Sequence, residues 1–158
     1  MRGDEKVISE LNAALKAELI AIVQYFVHAE MCDNWGYQRL GDYIKKQAID
    51  EMRHAEGLIE RVLFLDGTPA VGVGLAPSIG PNVKAQLQND LAGELDAVQQ
   101  YNAAVEVCVK AGDDGSRALF EKMVKDEEKH AHFLEAQLHS IGEMGLDNYL
   151  AQQVRTPS

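Results

Sequence analysis

Slid along itself by 76 positions, the sequence matches itself without a gap, and this repeat limits the fold more than any other feature. Glu18-Leu19 falls on Glu94-Leu95, Ala21 on Ala97, and Gln24-Tyr25 on Gln100-Tyr101. Glu30 falls on Glu106, Cys32 on Cys108 and Gly36 on Gly112. Farther on, Asp50-Glu51 falls on Asp126-Glu127, His54-Ala55 on His130-Ala131, and Leu58 on Leu134. Chance matching of Ala- and Glu-rich segments does not put His, Tyr, Cys and Gly at one constant offset. Two copies of one supersecondary unit, related by an internal pseudo-twofold, do.

Each copy holds two segments with apolar residues at helical spacing. In the first, Leu11, Leu15, Leu19, Ile22 and Phe26 recur at intervals of three and four. The patterns predict helices over about 5–33, 38–64, 82–111 and 116–141, with Ser116 as the cap of the fourth. A short fifth helix is expected over 146–154, stopped by Thr156-Pro157. Asn34-Trp35-Gly36 and Gly112-Asp113-Asp114-Gly115 read as tight hairpin turns. The stretch 67–81 differs, with four glycines, three prolines and no helical pattern. Fifteen extended residues reach roughly 50 Å, more than the roughly 42 Å of a 28-residue helix, so the linker can cross the whole bundle. The expected fold is therefore all-α: one domain over 1–158, a four-helix bundle with one long crossover and a short C-terminal helix.

The bulk numbers narrow the function. A chain of 158 residues buries a core without disulfides. A net charge of −10 argues against nucleic acid and anionic membrane as partners and favours cations. No apolar run is long enough to span a membrane, and Met1-Arg2-Gly3-Asp4-Glu5 does not read as a signal peptide. Two cysteines fit a reducing cytoplasm. With the first and third helices antiparallel, Cys32 and Cys108 fall roughly 40 Å apart, far beyond the ~7 Å limit for a bridge.

The repeated residues point to a metal site. Glu51-Met52-Arg53-His54 and Glu127-Glu128-Lys129-His130 are two Glu-x-x-His motifs, whose ends share a helix face. A further Glu stands 33 residues upstream in each copy, Glu18 and Glu94. In an antiparallel hairpin, residues equally far from the turn lie at one level. The midpoint of Glu18 and Glu51 falls at the first turn, and that of Glu94 and Glu127 just before the second. All six residues are thus expected at one level, on stripes otherwise lined by Leu15, Leu19, Ile22, Leu91, Leu95 and Val98. Four carboxylates in a dry core oppose one another and resist ionisation. Four Glu⁻ and two neutral His against two divalent cations sum to zero charge. Mixed carboxylate and imidazole ligation suits iron or manganese.

Beyond these motifs, several runs resemble the bacterioferritins, a ferritin-like di-iron family. They are Met1-Arg2-Gly3-Asp4, Asn34-Trp35-Gly36, Ile49-Asp50-Glu51-Met52-Arg53-His54-Ala55, 60–67 and 144–150. The resemblance covers essentially the whole chain. It implies iron storage and detoxification in a cytoplasmic, homo-oligomeric shell of 24 subunits built from twofold dimers. It also implies a ferroxidase that oxidises Fe²⁺ with O₂ or H₂O₂. Glu18 and Glu94 are then terminal ligands of two iron ions per subunit, Glu51 and Glu127 bridge them, and His54 and His130 complete the site. Met52 is the expected axial ligand of a haem b shared between two subunits. Tyr25, two turns beyond Glu18, is expected to hydrogen-bond a ligand or donate an electron, and Tyr101 repeats it. Lys46 stands where many bacterioferritins have His, which argues against an inner-surface iron site. Co-assembly with a second ferritin subunit type and reduction by a small ferredoxin rest on the resemblance alone. The rival readings are a non-storage di-iron oxidase or rubrerythrin-like peroxidase, for which the rubredoxin Cys-x-x-Cys pairs are missing, and a DNA-protecting mini-ferritin, which the acidic charge disfavours.

Overall fold

The structure, a computed structural model, describes residues 1–72 and 74–155; Thr156-Pro157 therefore lie outside the described residues. Five helices follow in order: α1 Glu5–Asn34, α2 Gln38–Phe64, α3 Val83–Ala111, α4 Asp114–Met144 and α5 Leu146–Ala151. Among the described residues there is no strand. The first four form the bundle and α5 packs on its end.

Side chains set where most helices begin, by accepting bonds from amides that have no intrahelical partner. Asp4 caps α1 by accepting from the amides of Lys6 (2.8 Å) and Val7 (3.2 Å). Asn82 caps α3 through the amide of Ala85, at 2.9 Å. The fourth helix corrects the expectation: it is capped by Asp113, not Ser116, and it runs on to Met144. Asp113 accepts from the Ser116 amide at 2.9 Å, which starts the helix at Asp114. Ser116 instead sits one turn in, buried, where its hydroxyl accepts from Arg61 Nε at 2.9 Å and ties α4 to α2. The fifth helix is shorter than expected and ends at Ala151. The chain beyond it turns back to α2, whose first turn has no side-chain cap. There the carbonyl of Gln153 accepts from the amide of Arg39 at 3.0 Å, serving an otherwise partnerless helix-start donor.

The repeat extends to the turns. Gly36 and Gly112 take φ of 89° and 68°, the left-handed region that glycine enters without cost. The amides of Tyr37 and Asp113, also 76 apart, donate to the carbonyls of Cys32 and Cys108, each at 2.9 Å.

Contacts between α1 and α3 step down one helix as they step up the other, so the two are antiparallel. Cys32 Sγ donates to Gln86 Oε1 (3.4 Å), His28 Nδ1 meets Asp90 Oδ1 (2.9 Å), and Tyr101 Oη donates to Glu18 Oε1 (2.5 Å). The crossover makes this orientation possible by running along α1. It leaves α2 beside Asn12, which accepts from the amide of Ala70 (2.8 Å) and donates to the carbonyl of Thr68 (3.1 Å). It arrives at Gln24 and His28, which accept from the amides of Ser78 (2.8 Å) and Gly80 (3.0 Å). From Asn12 to His28 is roughly 24 Å at helical rise.

The apolar core is in two parts. One gathers Val7, Leu11, Leu15, Leu58, Val62, Tyr101, Phe120 and their neighbours. The other gathers Tyr25, Leu40, Ile44, Leu87, Leu134 and Tyr149. Cys108 belongs to the first and Cys32 to the second, and both thiols are free. Between the two parts lies a buried polar layer.

Candidate metal centre

That layer is where the structure places all six repeated residues: Glu18 on α1, Glu51 and His54 on α2, Glu94 on α3, and Glu127 and His130 on α4. All six are buried. Their donor atoms form two groups, Glu18, Glu51, His54, Glu127 and Glu51, Glu94, Glu127, His130, each with its atoms within 4.8 Å of one another. Glu51 and Glu127 belong to both.

The hydrogen bonds around the layer come from outside it and leave the inward atoms free. His54 Nε2 is held by Asp126 Oδ2 at 2.9 Å, and His130 Nε2 lies 3.5 Å from Asp50 Oδ2. The two Nδ1 atoms therefore turn inward. His54 Nδ1 lies 2.9 Å from Glu127 Oε1, and His130 Nδ1 lies 2.9 Å from Glu51 Oε1. Neither approach is aligned as a hydrogen bond, and both nitrogens lack a partner among the described residues. The carboxylates follow the same rule. Tyr101 donates to Glu18 Oε1 at 2.5 Å and Tyr25 donates to Glu94 Oε1, while Oε2 of each remains without a partner. On Glu51 both oxygens are partnerless. A buried acceptor without a donor costs on the order of 1–3 kcal/mol, so a convergent set of them needs something positive at its centre.

Protonation answers to the same charge. Burial, then the Glu51 carboxylate, raises Glu18 well above the usual carboxylate range. Burial, then the contact with Glu94, pushes Glu127 up to about 12. Burial opposes charge on Glu51 as well, but its contacts with Glu18, His130 and His54 outweigh burial and hold it low. Burial alone would lower both histidines; the carboxylates facing them win, and His130 rises to about 10.

Tyr25 hydrogen-bonds one of the six, and its partner is Glu94 across on α3, not Glu18 on its own helix. Met52 is 48% exposed, one position past Glu51 and turned from the layer. Lys46, two turns before His54 on α2, is exposed. Sequence reasoning missed the role of Asp50 and Asp126 in orienting the imidazoles, although the repeat pairs them. It also missed a buried network beside the layer, in which Asp90 Oδ1 accepts from Gln24 Nε2 at 2.8 Å and meets His28 Nδ1. The repeat breaks there, since 76 positions take His28 to Ala104 and Asp90 to Ala14.

A cavity of about 170 Å³ reaches the layer between α1 and α3. Its walls include Ala17, Ala21, Gly93 and Ala97, four small residues in two repeat-related pairs. No described helix is long and apolar enough to cross a membrane.

Comparison with known proteins gives a consistent picture. A family model for the ferritin-like domain matches residues 8–144. A bacterioferritin of Mycolicibacterium paratuberculosis is 40% identical over 157 residues, covering 99% of each chain. One of Brucella melitensis is 42% identical over 149 residues, 94% of this chain and 92% of that one. One of Rhodobacter capsulatus is 41% identical over 145 residues, 92% and 90% of the two chains.

Proposed function

The chain belongs to the ferritin-like family and, within it, to the bacterioferritins, and on that footing we propose that it is a ferroxidase that stores its ferric product. Fe²⁺ is the substrate, bound two per chain by Glu18, Glu51, His54, Glu94, Glu127 and His130. O₂ or H₂O₂ takes the electrons, and the ferric iron is held in the cavity of a homo-oligomeric shell of 24 chains.

One observation carries this reading: the inward atoms of six buried donors converge with no hydrogen-bond partner. Their pattern supports the division of labour that the family implies. Glu18 and Glu94 each keep one free oxygen, as a terminal ligand does, and Glu51 keeps two, as a bridge does. Glu127 shares both donor groups with Glu51. His54 offers Nδ1 because Asp126 occupies Nε2, the usual way a protein fixes a ligand's tautomer and direction, and Asp50 stands at 3.5 Å from Nε2 of His130. The Tyr25 and Tyr101 hydroxyls hold the terminal carboxylates in place and keep their own protons, since burial and the adjacent carboxylates raise both phenols. Four carboxylates balance two divalent ions, and the site accommodates the rise in charge on oxidation because a carboxylate can change its mode of binding.

Met52 fits a haem that a second copy completes. Its thioether is half-exposed and turned from the carboxylates, and Ile49, also exposed, precedes it by one turn. When bound, haem b supplies one-electron chemistry for reducing stored iron. The shell of 24 chains, the second copy and a small ferredoxin reductant are parts of this proposal that rest on the family resemblance alone.

The test is iron per chain after apo-protein is loaded with excess Fe²⁺ in air and passed through size exclusion. Iron far above two per chain, co-eluting with a large shell, is expected. A ceiling at two per chain would leave a di-iron enzyme and refute storage.

A further inference from the structure

Tyr101 occupies the position that the repeat pairs with Tyr25, and both rings are buried. Each hydroxyl crosses the bundle to the opposite half: Tyr25 Oη donates to Glu94 Oε1, and Tyr101 Oη donates to Glu18 Oε1 at 2.5 Å. Glu18 stands in the donor group of His54 and Glu94 in that of His130. Each of the two iron positions therefore has its own phenol, attached to its own terminal carboxylate. Both tyrosines line the cavity that reaches the layer, and no Trp, Cys, Met or further Tyr lines it. A phenol held on a carboxylate can lose an electron as its proton passes along the hydrogen bond. Here the accepting oxygen is Oε1, and Oε2 of the same carboxylate has no hydrogen-bond partner, so one oxygen can take the proton while the other stays available.

We propose that Tyr101 is, with Tyr25, one of two electron donors built into the site, so that two Fe²⁺ and two tyrosines reduce one O₂ to water. The inference rests on the ferroxidase reading and adds to it where the last two electrons come from. Two Fe²⁺ alone give O₂ two electrons and release H₂O₂. With the tyrosines the balance is 2 Fe²⁺ + 2 Tyr–OH + O₂ + 2 H⁺ → 2 Fe³⁺ + 2 Tyr–O• + 2 H₂O. Both phenolic O–H bonds break, their protons pass first to Glu18 and Glu94, and the O–O bond is cleaved. Two later Fe²⁺, with two protons, return the radicals to tyrosine. A site so equipped oxidises iron without releasing peroxide beside a large iron store.

The experiment loads the full chain with two Fe²⁺, mixes it with O₂, and freezes it at millisecond intervals. Tyrosyl spins are counted by electron paramagnetic resonance, with ring-deuterated tyrosine to identify the line, and H₂O₂ is assayed against Fe³⁺ formed. For the unaltered protein the expectation is close to two tyrosyl spins per two irons and almost no peroxide. Tyr101→Phe should halve the spins and release some peroxide, and the double variant with Tyr25→Phe should give no tyrosyl spin and about one H₂O₂ per two irons. A purely positioning role for Tyr101 would slow oxidation but leave the spin yield and the peroxide-to-iron ratio unchanged, and that result overturns the proposal. So does one H₂O₂ per two irons in the unaltered protein. Failure of the ferroxidase reading would look different: no Fe³⁺ forms at all, and the proposal falls with it.

Discussion

At the scale of single residues, the centre depends on atoms that never face it. Asp126 holds His54 Nε2 at 2.9 Å and is itself held by Lys122 Nζ at 3.1 Å. Burial works against its charge, but the bond from His54 and the Lys122 ammonium keep its carboxyl below the usual range, so it is ionised and a strong acceptor. Asp126→Asn presents the imidazole with a weaker acceptor and lets it choose the other tautomer. Removing such a support typically costs ~10–100-fold in affinity or rate. Competition titration with Zn²⁺ and the initial rate of Fe²⁺ oxidation should both fall within that range; unchanged values would mean that packing alone orients His54. The cysteines make the opposite case. Both are buried, and burial, then nearby Asp33 or Asp113, pushes the Cys32 thiol up to about 12 and Cys108 to about 11. Neutral thiols are poor nucleophiles. In the native protein at pH 8 neither should react with a disulfide reagent over minutes, and both should react once the chain is unfolded.

At the scale of elements, the crossover sets the direction of α3, and a buried polar network fixes where it lands. Gln24 and His28 accept from the amides of Ser78 and Gly80, and Asp90 on α3 holds both side chains from behind. Asp90→Ala would leave the His28 and Gln24 donors without an acceptor in a dry interior, a loss on the order of 1–3 kcal/mol for each stranded group. Asp90→Asn keeps an oxygen for both donors and should lose much less. Urea denaturation checks both, and hydrogen exchange should show the Ser78 and Gly80 amides opening first in the Ala variant. This network also marks the limit of what the sequence reveals. Helix α2 and the six-residue layer were legible because periodicity and the repeat encode them twice. The repeat likewise made the crossing of 67–81 a matter of reach. Its anchors were not legible, because Gln24, His28 and Asp90 join through space, and the repeat keeps Gln24 but not His28 or Asp90. Helix ends slipped for a similar reason: Asp113 and Ser116 are both able caps, and Arg61, brought in from α2, donates to both side chains, so only the bond from the Ser116 amide to Asp113 shows which one caps.

At the scale of the whole molecule, the centre splits the core in two and makes stability depend on what neutralises it. Without metal, Glu18 and Glu127 hold protons in the folded chain that an unfolded chain releases above its ordinary carboxylate pKa. His54 and His130 likewise keep in the fold protons that free imidazole loses near neutrality. All four pKa values are raised, so across pH 5 to 9 the folded state binds more protons than the unfolded one and its stability falls as pH rises. Glu51 has the opposite sign, but its lowered pKa acts only below the ordinary carboxylate range, outside that window. Divalent ions bind the deprotonated donors, displace those protons and reverse the dependence. The melting temperature of metal-free protein should therefore drop between pH 5.5 and 9. A stoichiometric Zn²⁺ load of two per chain, chosen because it does not change oxidation state, should raise it most at the alkaline end. Calorimetric titration in buffers of different ionisation enthalpy should show proton release on metal binding at pH 6 and still at pH 9, because the raised groups keep their protons across that range. If the metal-free melting temperature rises with pH instead, the layer is not charged by protons in the way its geometry requires. The buried acidic layer would then be held together by something other than protons.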